Sequence, residues 1–215
     1  QFNWAIDNIE INNDWVLRLD SDEIIPLKLR EEIINTIIKN PKVHAYSINK
    51  RMYWMGKRLR FGGMTHYITR LFKFGSARYE EKTEEHLIVE GQTAKLKNYF
   101  FEYNRKNNLE YFTDKHLKTA KGELEEIFDQ KKNTDGIVPD LFGNDVQRTR
   151  WLKLNIYEST PLFFRPFIYF LFRYFLQLGV LDGIPGLTFH ILQAFWYRFY
   201  IDALVYEKKF GSKYL

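Results

Sequence analysis

The aromatic stretch from Pro161 to Tyr206 constrains the fold of this chain more than any other segment: PLFFRPFIYFLFRYFLQLGVLDGIPGLTFHILQAFWYRFYIDALVY. Arg165 and Arg173 interrupt it, so the roughly 18 consecutive uncharged apolar residues that indicate a membrane-spanning helix do not occur before Asp182. We therefore expect shorter helices that do not span a membrane. They are broken by a tight turn at GVLDGIPG, where Asp182 is placed to cap the next helix.

Charge and aromatic content set this C-terminal region apart. Residues 148–215 carry nine Lys/Arg against four Asp/Glu and hold 19 of the 38 aromatic residues. This combination is typical of helices in an anionic membrane interface, with rings among the headgroups and Arg or Lys on the lipid phosphates. The alternative is a buried helical layer whose arginines extend to solvent. No nucleic-acid partner is expected, because the basic residues do not form a stripe.

Bulk composition narrows the remaining classes. The 215 residues suffice for one domain with an appended helical layer. The absence of cysteine excludes a disulfide framework, a thiolate nucleophile and a cysteine metal site. The formal net charge of +5 arises entirely from residues 148–215, so the first 147 residues are balanced.

The N-terminal half begins with a strand and a helix. Trp15–Leu19 is short, apolar and bounded by polar residues, which predicts a buried strand. Pro26 suits a helix start. Apolar residues then recur at helical spacing, which predicts a helix over Leu27–Ile38.

Several strands follow that helix. HAYSINKRMYWMG alternates and predicts a strand, Gly62-Gly63 a turn, and Tyr67–Phe74 a second strand. LIVEGQTAKLKNYFFEY predicts a hairpin or paired strands around Gly91. The fold class is thus α/β with a mixed sheet over residues 1–106 and a helical, aromatic-rich region over residues 107–215.

Three acids follow the first strand: Asp20, Asp22 and Glu23. Ligands of open α/β sheets bind at the carboxyl ends of strands. An extended backbone would point Asp20 and Asp22 the same way. Two such carboxylates suit Mg²⁺ or Mn²⁺ that takes its other ligands from water and phosphate. The alternative is that the acids only flank the next helix, whose N-terminus favours negative charge.

Three segments in this order resemble bacterial family 2 glycosyltransferases of the colanic-acid and lipopolysaccharide-core type: NWAIDNIEINNDWVLRLDSDEIIP, GGMTHYITRLFKFGSARYEEKTEEHLIVEG and LGVLDGIPGL. The resemblance covers nearly the whole chain. It implies a GT-A type fold, here without its N-terminal nucleotide-binding portion. It also implies a nucleotide-sugar donor, a lipid-linked or polysaccharide acceptor, and a position on the cytoplasmic face of the plasma membrane.

The resemblance also implies roles for individual residues. Asp20 and Asp22 match the metal and diphosphate motif, with Mg²⁺ or Mn²⁺ as cofactor. Glu85 matches the Glu of a Val-His-Glu-His segment and is the candidate base, with Glu84 as the second choice. His86 matches the second His, placed on the acceptor side. The chain has Thr83 and Glu84 where the family has Val and the first His.

Further candidates come from the strands and the glycine turn. Arg70 is expected to reach the donor diphosphate, or to face solvent. Trp54, Gly63 and His66 are candidate acceptor-binding residues, because aromatic faces stack on sugars and the turn lies nearby. Trp54 fits a core position equally well.

Two functions therefore remain. The first is a membrane-peripheral glycosyltransferase that transfers a sugar with inversion. The second is a non-catalytic, membrane-associated interaction module derived from half of a transferase.

Overall fold

The structure is a computed structural model that describes residues 2–39, 42–64, 66–79, 87–102, 108–129, 138–143 and 145–211. The chain forms two compact units. Unit 1 comprises Gln1–Leu59 and Met64–Lys106, and unit 2 comprises Arg60–Gly63 and Asn107–Leu215. The short segment Arg60–Gly63 thus belongs with the helical unit, although the sequence-based division placed it in the first part.

Unit 1 is built on a mixed sheet. Its described elements are α1 (Phe2–Asn8), β1 (Trp15–Leu17), β2 (Glu23–Ile24), α2 (Leu27–Ile38), β3 (Ala45–Trp54), β4 (Lys57–Leu59), β5 (His66–Lys73), β6 (Ala77–Tyr79), β7 (Leu87–Val89) and β8 (Thr93–Glu102). The main sheet has the order β1-β5-β3-β8-β2, with β4 paired to β3, and β6 and β7 form a separate pair. Among the described strands, β3 and β8 pair in parallel and the other pairs are antiparallel. The predicted α/β class with a mixed sheet is confirmed.

Both faces of the sheet are covered. On one face, α2 contributes Leu29 and Ile33 to a core with strand residues such as Leu71 and Phe100. On the other face, Phe72 packs with Ala45 and Ala77 and with partly buried residues from α1 and β7. Consecutive residues such as Leu71 and Phe72 therefore serve opposite faces, as the two-residue period of a strand requires.

Helix α2 has the predicted bounds, Leu27–Ile38. The predicted hairpin around Gly91 is wrong: β7 pairs with β6, and β8 pairs in parallel with β3. Backbone geometry explains the departure. Gly91 has a φ of +124°, and a Cβ there would lie 2.3 Å from Nδ1 of His44, so the chain passes close to His44 instead of reversing on itself.

Unit 2 is helical in its described part. Its elements are α3 (Leu109–Phe128), α4 (Asp145–Leu152), a π-helical turn (Lys153–Tyr157), α5 (Phe164–Leu171), a second π turn (Phe172–Leu176), a 3₁₀ turn (Gly179–Asp182), α6 (Gly183–His190), a third π turn (Ile191–Trp196) and α7 (Tyr197–Phe210). Asn108 caps α3 by accepting a hydrogen bond from Tyr111 N at 2.8 Å. The break at GVLDGIPG is the 3₁₀ turn followed directly by α6.

The core of unit 2 lies between α3 and α7. Ala120 packs against Tyr197, Ile201 and Val205. Glu123 is buried beside them, where it accepts hydrogen bonds from Tyr197 Oη at 2.6 Å and Arg198 Nη1 at 2.9 Å. Two donors satisfy this carboxylate, so its burial is compatible with a stable helix pair.

Candidate functional site

Asp20 and Asp22 lie in a turn after β1. Glu23 N donates a hydrogen bond to Asp20 O at 3.0 Å, which closes the turn over Ser21 and Asp22. Glu23 Oε2 accepts a hydrogen bond from Asp20 N, also at 3.0 Å. The expectation of an extended backbone that aligns the two aspartates is therefore wrong, because Glu23 ties both ends of the turn.

Arg70 on β5 fixes Asp20. Its Nη2 lies 2.9 Å from Asp20 Oδ2 and 2.5 Å from Glu23 Oε1. The Glu23 side chain is 0% exposed and that of Arg70 is 6% exposed. Burial alone would lower the pKa of Arg70, but the charges of Glu23 and Asp20 outweigh it and raise that pKa, so the guanidinium stays charged. Arg70 therefore holds Asp20 in place and does not extend into solvent toward a phosphate.

Further charges complete what we call the Glu23 cluster. Its members are Arg18, Asp20, Glu23, Lys50, Arg70 and Glu102. Glu23 and Glu102 are direct cross-strand neighbours, which is unfavourable for like charges. Lys50 relieves this repulsion: Nζ bonds the Glu102 carboxylate and lies 3.8 Å from Glu23 Oε1. Arg18 Nη2 lies 3.7 Å from Asp20 Oδ1, so three cations balance three carboxylates.

Asp22 differs from the acids of the cluster. It is half-buried and has no ion pair with any residue that the structure describes. Within the described ranges, no group of three or more His, Asp or Glu side chains is placed to hold a metal ion. Asp20 and Asp22 therefore fit Mg²⁺ or Mn²⁺ only in the mode where water and phosphate supply most of the ligands.

A cleft of about 400 Å³ lies at the opposite end of β1, between residues 11–15 and Lys73 with Phe74. It contains neither Asp20 nor Arg70, and its lining includes no pair of carboxylates. The acids at the C-terminal end of β1 thus remain the stronger candidate site.

The candidate acceptor residues lie in different settings. Trp54 ends β3 and is 2% exposed, so its ring has no free face for a sugar and serves the core. His66 begins β5, opposite Lys50, and is exposed. Gly63 belongs to unit 2 and has a φ of +74°. Glu84, Glu85 and His86 lie outside the described residues.

Asp182 has a role that the sequence did not predict. Its side chain makes no capping hydrogen bond to α6. Instead Oδ2 accepts backbone hydrogen bonds from Arg60 N and Phe61 N, each at 2.9 Å. Gly62 N donates to Gln177 O at 2.8 Å. Within unit 2, these bonds attach the segment Arg60–Gly63 to Gln177 and to Asp182 of the GVLDGIPG turn.

His190 lies against the same segment. It is 0% exposed, and neither ring nitrogen has a hydrogen-bond partner among the described residues. Burial, with a further contribution from the charge of Arg173 and against that of Asp182, lowers the pKa of His190 to about 4. The neutral imidazole acts as a packing surface.

The two arginines of the aromatic stretch face inward. Arg165 Nε donates to Asp202 Oδ1 at 2.7 Å, and the residue is 9% exposed. Arg173 is 5% exposed and donates to Gly62 O at 2.7 Å and Gln193 Oε1 at 2.6 Å. Neither arginine extends toward lipid phosphates or solvent, so both sequence-based expectations for them are wrong. Acceptors far away in the sequence satisfy both charges inside the unit.

No single helix among the described residues is long and apolar enough to cross a membrane. One pair of helical segments is long and apolar enough when the two are taken together. The pair is Phe164–Leu176 and Gly179–Phe210, which meet at a bend of 69°.

Sequence reasoning missed the central residues of the Glu23 cluster and of the buried Arg165–Asp202 pair. The sequence pattern presents Glu23 as one of three acids after the first strand and singles out neither Lys50 nor Asp202. A local signal for Glu23 is its position directly before the apolar pair Ile24-Ile25. No pattern signalled Asp202, whose partner is 37 residues away.

No protein-family model matches this sequence, and no curated protein matches it either.

Proposed function

We propose that this chain is the metal- and acceptor-binding part of an inverting glycosyltransferase with a GT-A type sheet. It moves a sugar from a nucleotide-diphosphate donor to a lipid-linked or surface-polysaccharide acceptor at the inner face of the plasma membrane. The observation that carries the proposal is the turn after β1. There Asp20 is fixed by Arg70 and Glu23, while Asp22 is half-buried without an ion pair among the described residues.

The charge balance of the Glu23 cluster shapes how a metal would bind. Three cations already neutralise Asp20, Glu23 and Glu102, so Asp22 adds the single uncompensated charge of the turn. One net negative charge holds a divalent ion weakly. A diphosphate adds the missing negative charge and oxygen ligands, so ion and diphosphate should bind together. When bound, the metal neutralises the charge that develops on the leaving diphosphate.

The protein's own residues then have distinct tasks. Asp22 and the solvent-accessible part of the Asp20 side chain, which is 41% exposed, bind the ion, and Arg70 and Glu23 keep Asp20 in position. By the family resemblance, Glu85 removes the proton from the acceptor hydroxyl, with Glu84 as the second candidate. His86 and His66 lie on the acceptor side in this proposal.

The test uses the whole chain with Mn²⁺ and inorganic pyrophosphate. Protein-bound Mn²⁺ is measured by equilibrium dialysis, because pyrophosphate alone also lowers the concentration of free Mn²⁺. We expect weak Mn²⁺ binding alone and at least about tenfold tighter binding with pyrophosphate, lost in Asp22→Asn. Asp14→Asn, an exposed acid at the other end of β1, is the matched control and should bind like the parent chain. Equal Mn²⁺ binding by Asp22→Asn and the parent chain would refute the metal site.

One observation favours the second candidate function, a non-catalytic membrane-associated module. Asp20 and Arg70 are already paired with each other, which suits a structural ion pair. The two functions are separated by measuring donor binding, sugar transfer and donor hydrolysis in the parent protein and in Glu85→Gln. If the protein is a transferase, the parent transfers sugar and Glu85→Gln still binds the donor but no longer transfers it. If the protein is a non-catalytic module, the parent itself shows neither sugar transfer nor donor hydrolysis.

A further inference from the structure

Helix α5 and the π turn that follows it are amphipathic, but their charged side chains face the interior of unit 2 and their apolar side chains face solvent. Arg165, Tyr169 and Arg173 recur every four residues, and both arginines are buried. Arg173 Nη1 lies 3.3 Å from Tyr169 Oη, which joins two members of this inner polar stripe. The charged face of the helix is therefore turned into unit 2.

The opposite face exposes large apolar side chains. Phe164, Phe167, Leu171 and Phe175 recur at spacings of three and four residues and are all exposed. The exposed surface continues over the following turn to Leu176 and Ile184, which are 76% and 74% exposed. We call the exposed apolar side chains from Phe164 to Ile184 the apolar ridge. A soluble monomer rarely exposes so continuous an apolar surface.

We propose that the apolar ridge inserts into the interfacial zone of an anionic lipid bilayer, with the helix axis in the membrane plane. Apolar burial would then dominate binding, and the two arginines of the stretch would make no lipid contact. This inference deepens the membrane location given in the proposed function by naming the surface that binds lipid. Because it rests on unit 2 alone, its test can fail without refuting sugar transfer.

Charge around the ridge favours lipid over a protein partner. Between residues 159 and 206 the only acids are Asp182 and Asp202, and both are buried. Exposed cations border the ridge instead. Arg60 is held beside its tip by the bond to Asp182, and Lys208 and Lys209 end α7.

The other end of the ridge is fixed by aromatic contacts. The Tyr206 ring lies 5.8 Å from that of Phe163, so the final turn of α7, with Lys208 and Lys209, lies near the start of α5. Glu207 is the one acid in that turn. A positive rim around an apolar surface matches an anionic bilayer, whereas a second copy of this chain would bring an equally positive rim against it.

Vesicle flotation of the full chain tests the proposal. The vesicles contain equal parts of phosphatidylglycerol and phosphatidylcholine. Leu176→Asn with Ile184→Asn removes two residues of the ridge. The matched control is Leu27→Asn with Ile38→Asn, since those residues of α2 are 70% and 74% exposed but lie outside the ridge. A third variant, Lys208→Gln with Lys209→Gln, removes two cations of the rim.

We expect the ridge variant to bind vesicles at least about tenfold more weakly and the control variant to bind like the parent chain. Binding of the parent chain should largely persist at about 1 M NaCl, where the Debye length is about 3 Å. Loss of binding in the lysine variant with no effect of the ridge variant would overturn the proposal. So would a parent chain that ignores vesicles and is a dimer by light scattering, with the ridge variant monomeric.

Discussion

Asp202 is fully buried against Arg165, with Arg165 Nε 2.7 Å from Asp202 Oδ1. The second carboxylate oxygen accepts a hydrogen bond from Phe163 N at 2.8 Å. Phe163 has a φ of +69°, an uncommon value for a residue with a side chain. One carboxylate therefore satisfies a buried cation and also holds the strained start of α5.

Asp202→Asn should lower the free energy of unfolding by about 3–5 kcal/mol, because Arg165 would remain as an uncompensated buried charge. Urea unfolding followed by circular dichroism measures the change. Glu207→Gln, an exposed acid on the same helix, is the control and should change stability by less than about 0.5 kcal/mol. The double variant Arg165→Met with Asp202→Leu should be less harmful than Asp202→Asn, since no unpaired charge is left. Native stability of Asp202→Asn would contradict the pairing.

Glu23 and Asp22 are adjacent acids with opposite expected effects. Glu23→Gln should destabilise the chain by about 3 kcal/mol, because it weakens the buried pairing with Arg70. Asp22→Asn should leave stability within about 0.5 kcal/mol, since Asp22 makes no ion pair with a described residue. Thermal unfolding of the two variants separates the structural acid from the proposed ligand. Equal destabilisation would show that Asp22 also supports the fold.

Gly62 and Gly56 form a matched pair for testing the packing of the Arg60–Gly63 segment. Their φ values are +68° and +74°, so alanine strains the backbone similarly at both. A Cβ at Gly62 would lie 2.1 Å from His190 Nε2, whereas no atom lies within 4 Å of one at Gly56. Gly62→Ala should therefore lower the free energy of unfolding by about 2 kcal/mol more than Gly56→Ala. Similar losses in both variants would mean that His190 moves aside freely.

His190 should make stability depend on pH. In the folded chain its pKa is about 4, against an ordinary value of 6.5, with Arg173 and Asp182 as the facing charges. Below pH 6.5 the unfolded chain binds a proton that the folded chain does not, so the free energy of unfolding falls as pH decreases from 6.5 to 4. The total loss is about 3 kcal/mol.

The comparison of the parent chain with His190→Leu isolates this effect, because all other titrating groups are common to both. Urea unfolding is measured at several pH values between 4 and 7. The unfolding free energy of the parent chain minus that of His190→Leu should fall by about 3 kcal/mol as the pH decreases from 6.5 to 4. Parallel pH profiles would show that protonation of His190 is not linked to unfolding.

The sequence predicted those helices and strands whose bounds depend on the spacing of neighbouring residues along the chain. Leu27–Ile38 was correctly bounded because its apolar residues repeat at helical spacing and Pro26 precedes it. The partner of β8 was not predictable in this way, since β3 lies more than 40 residues earlier and periodicity carries no pairing information. The sequence also placed Asp20 and Arg70 among the candidate site residues, and the structure joins them directly.

The errors share a physical cause. The turn at Asp20 depends on bonds from the buried Glu23, and the inward position of Arg165 depends on Asp202. In each case a charged residue is satisfied by a group whose proximity only the folded chain creates. Hydropathy therefore described Arg165 and Arg173 as surface residues, although distant acceptors made burial possible.

The bonds from Asp182 to Arg60 and Phe61 limit how this protein can be divided. A gene fragment encoding residues 107–215 alone would contain the carboxylate but not Arg60 and Phe61, which it holds, and His190 would lose Gly62, against which it packs. The helical unit is contiguous in space but not in the gene. Its boundaries for expression, domain exchange or circular permutation must include the loop at 60–63.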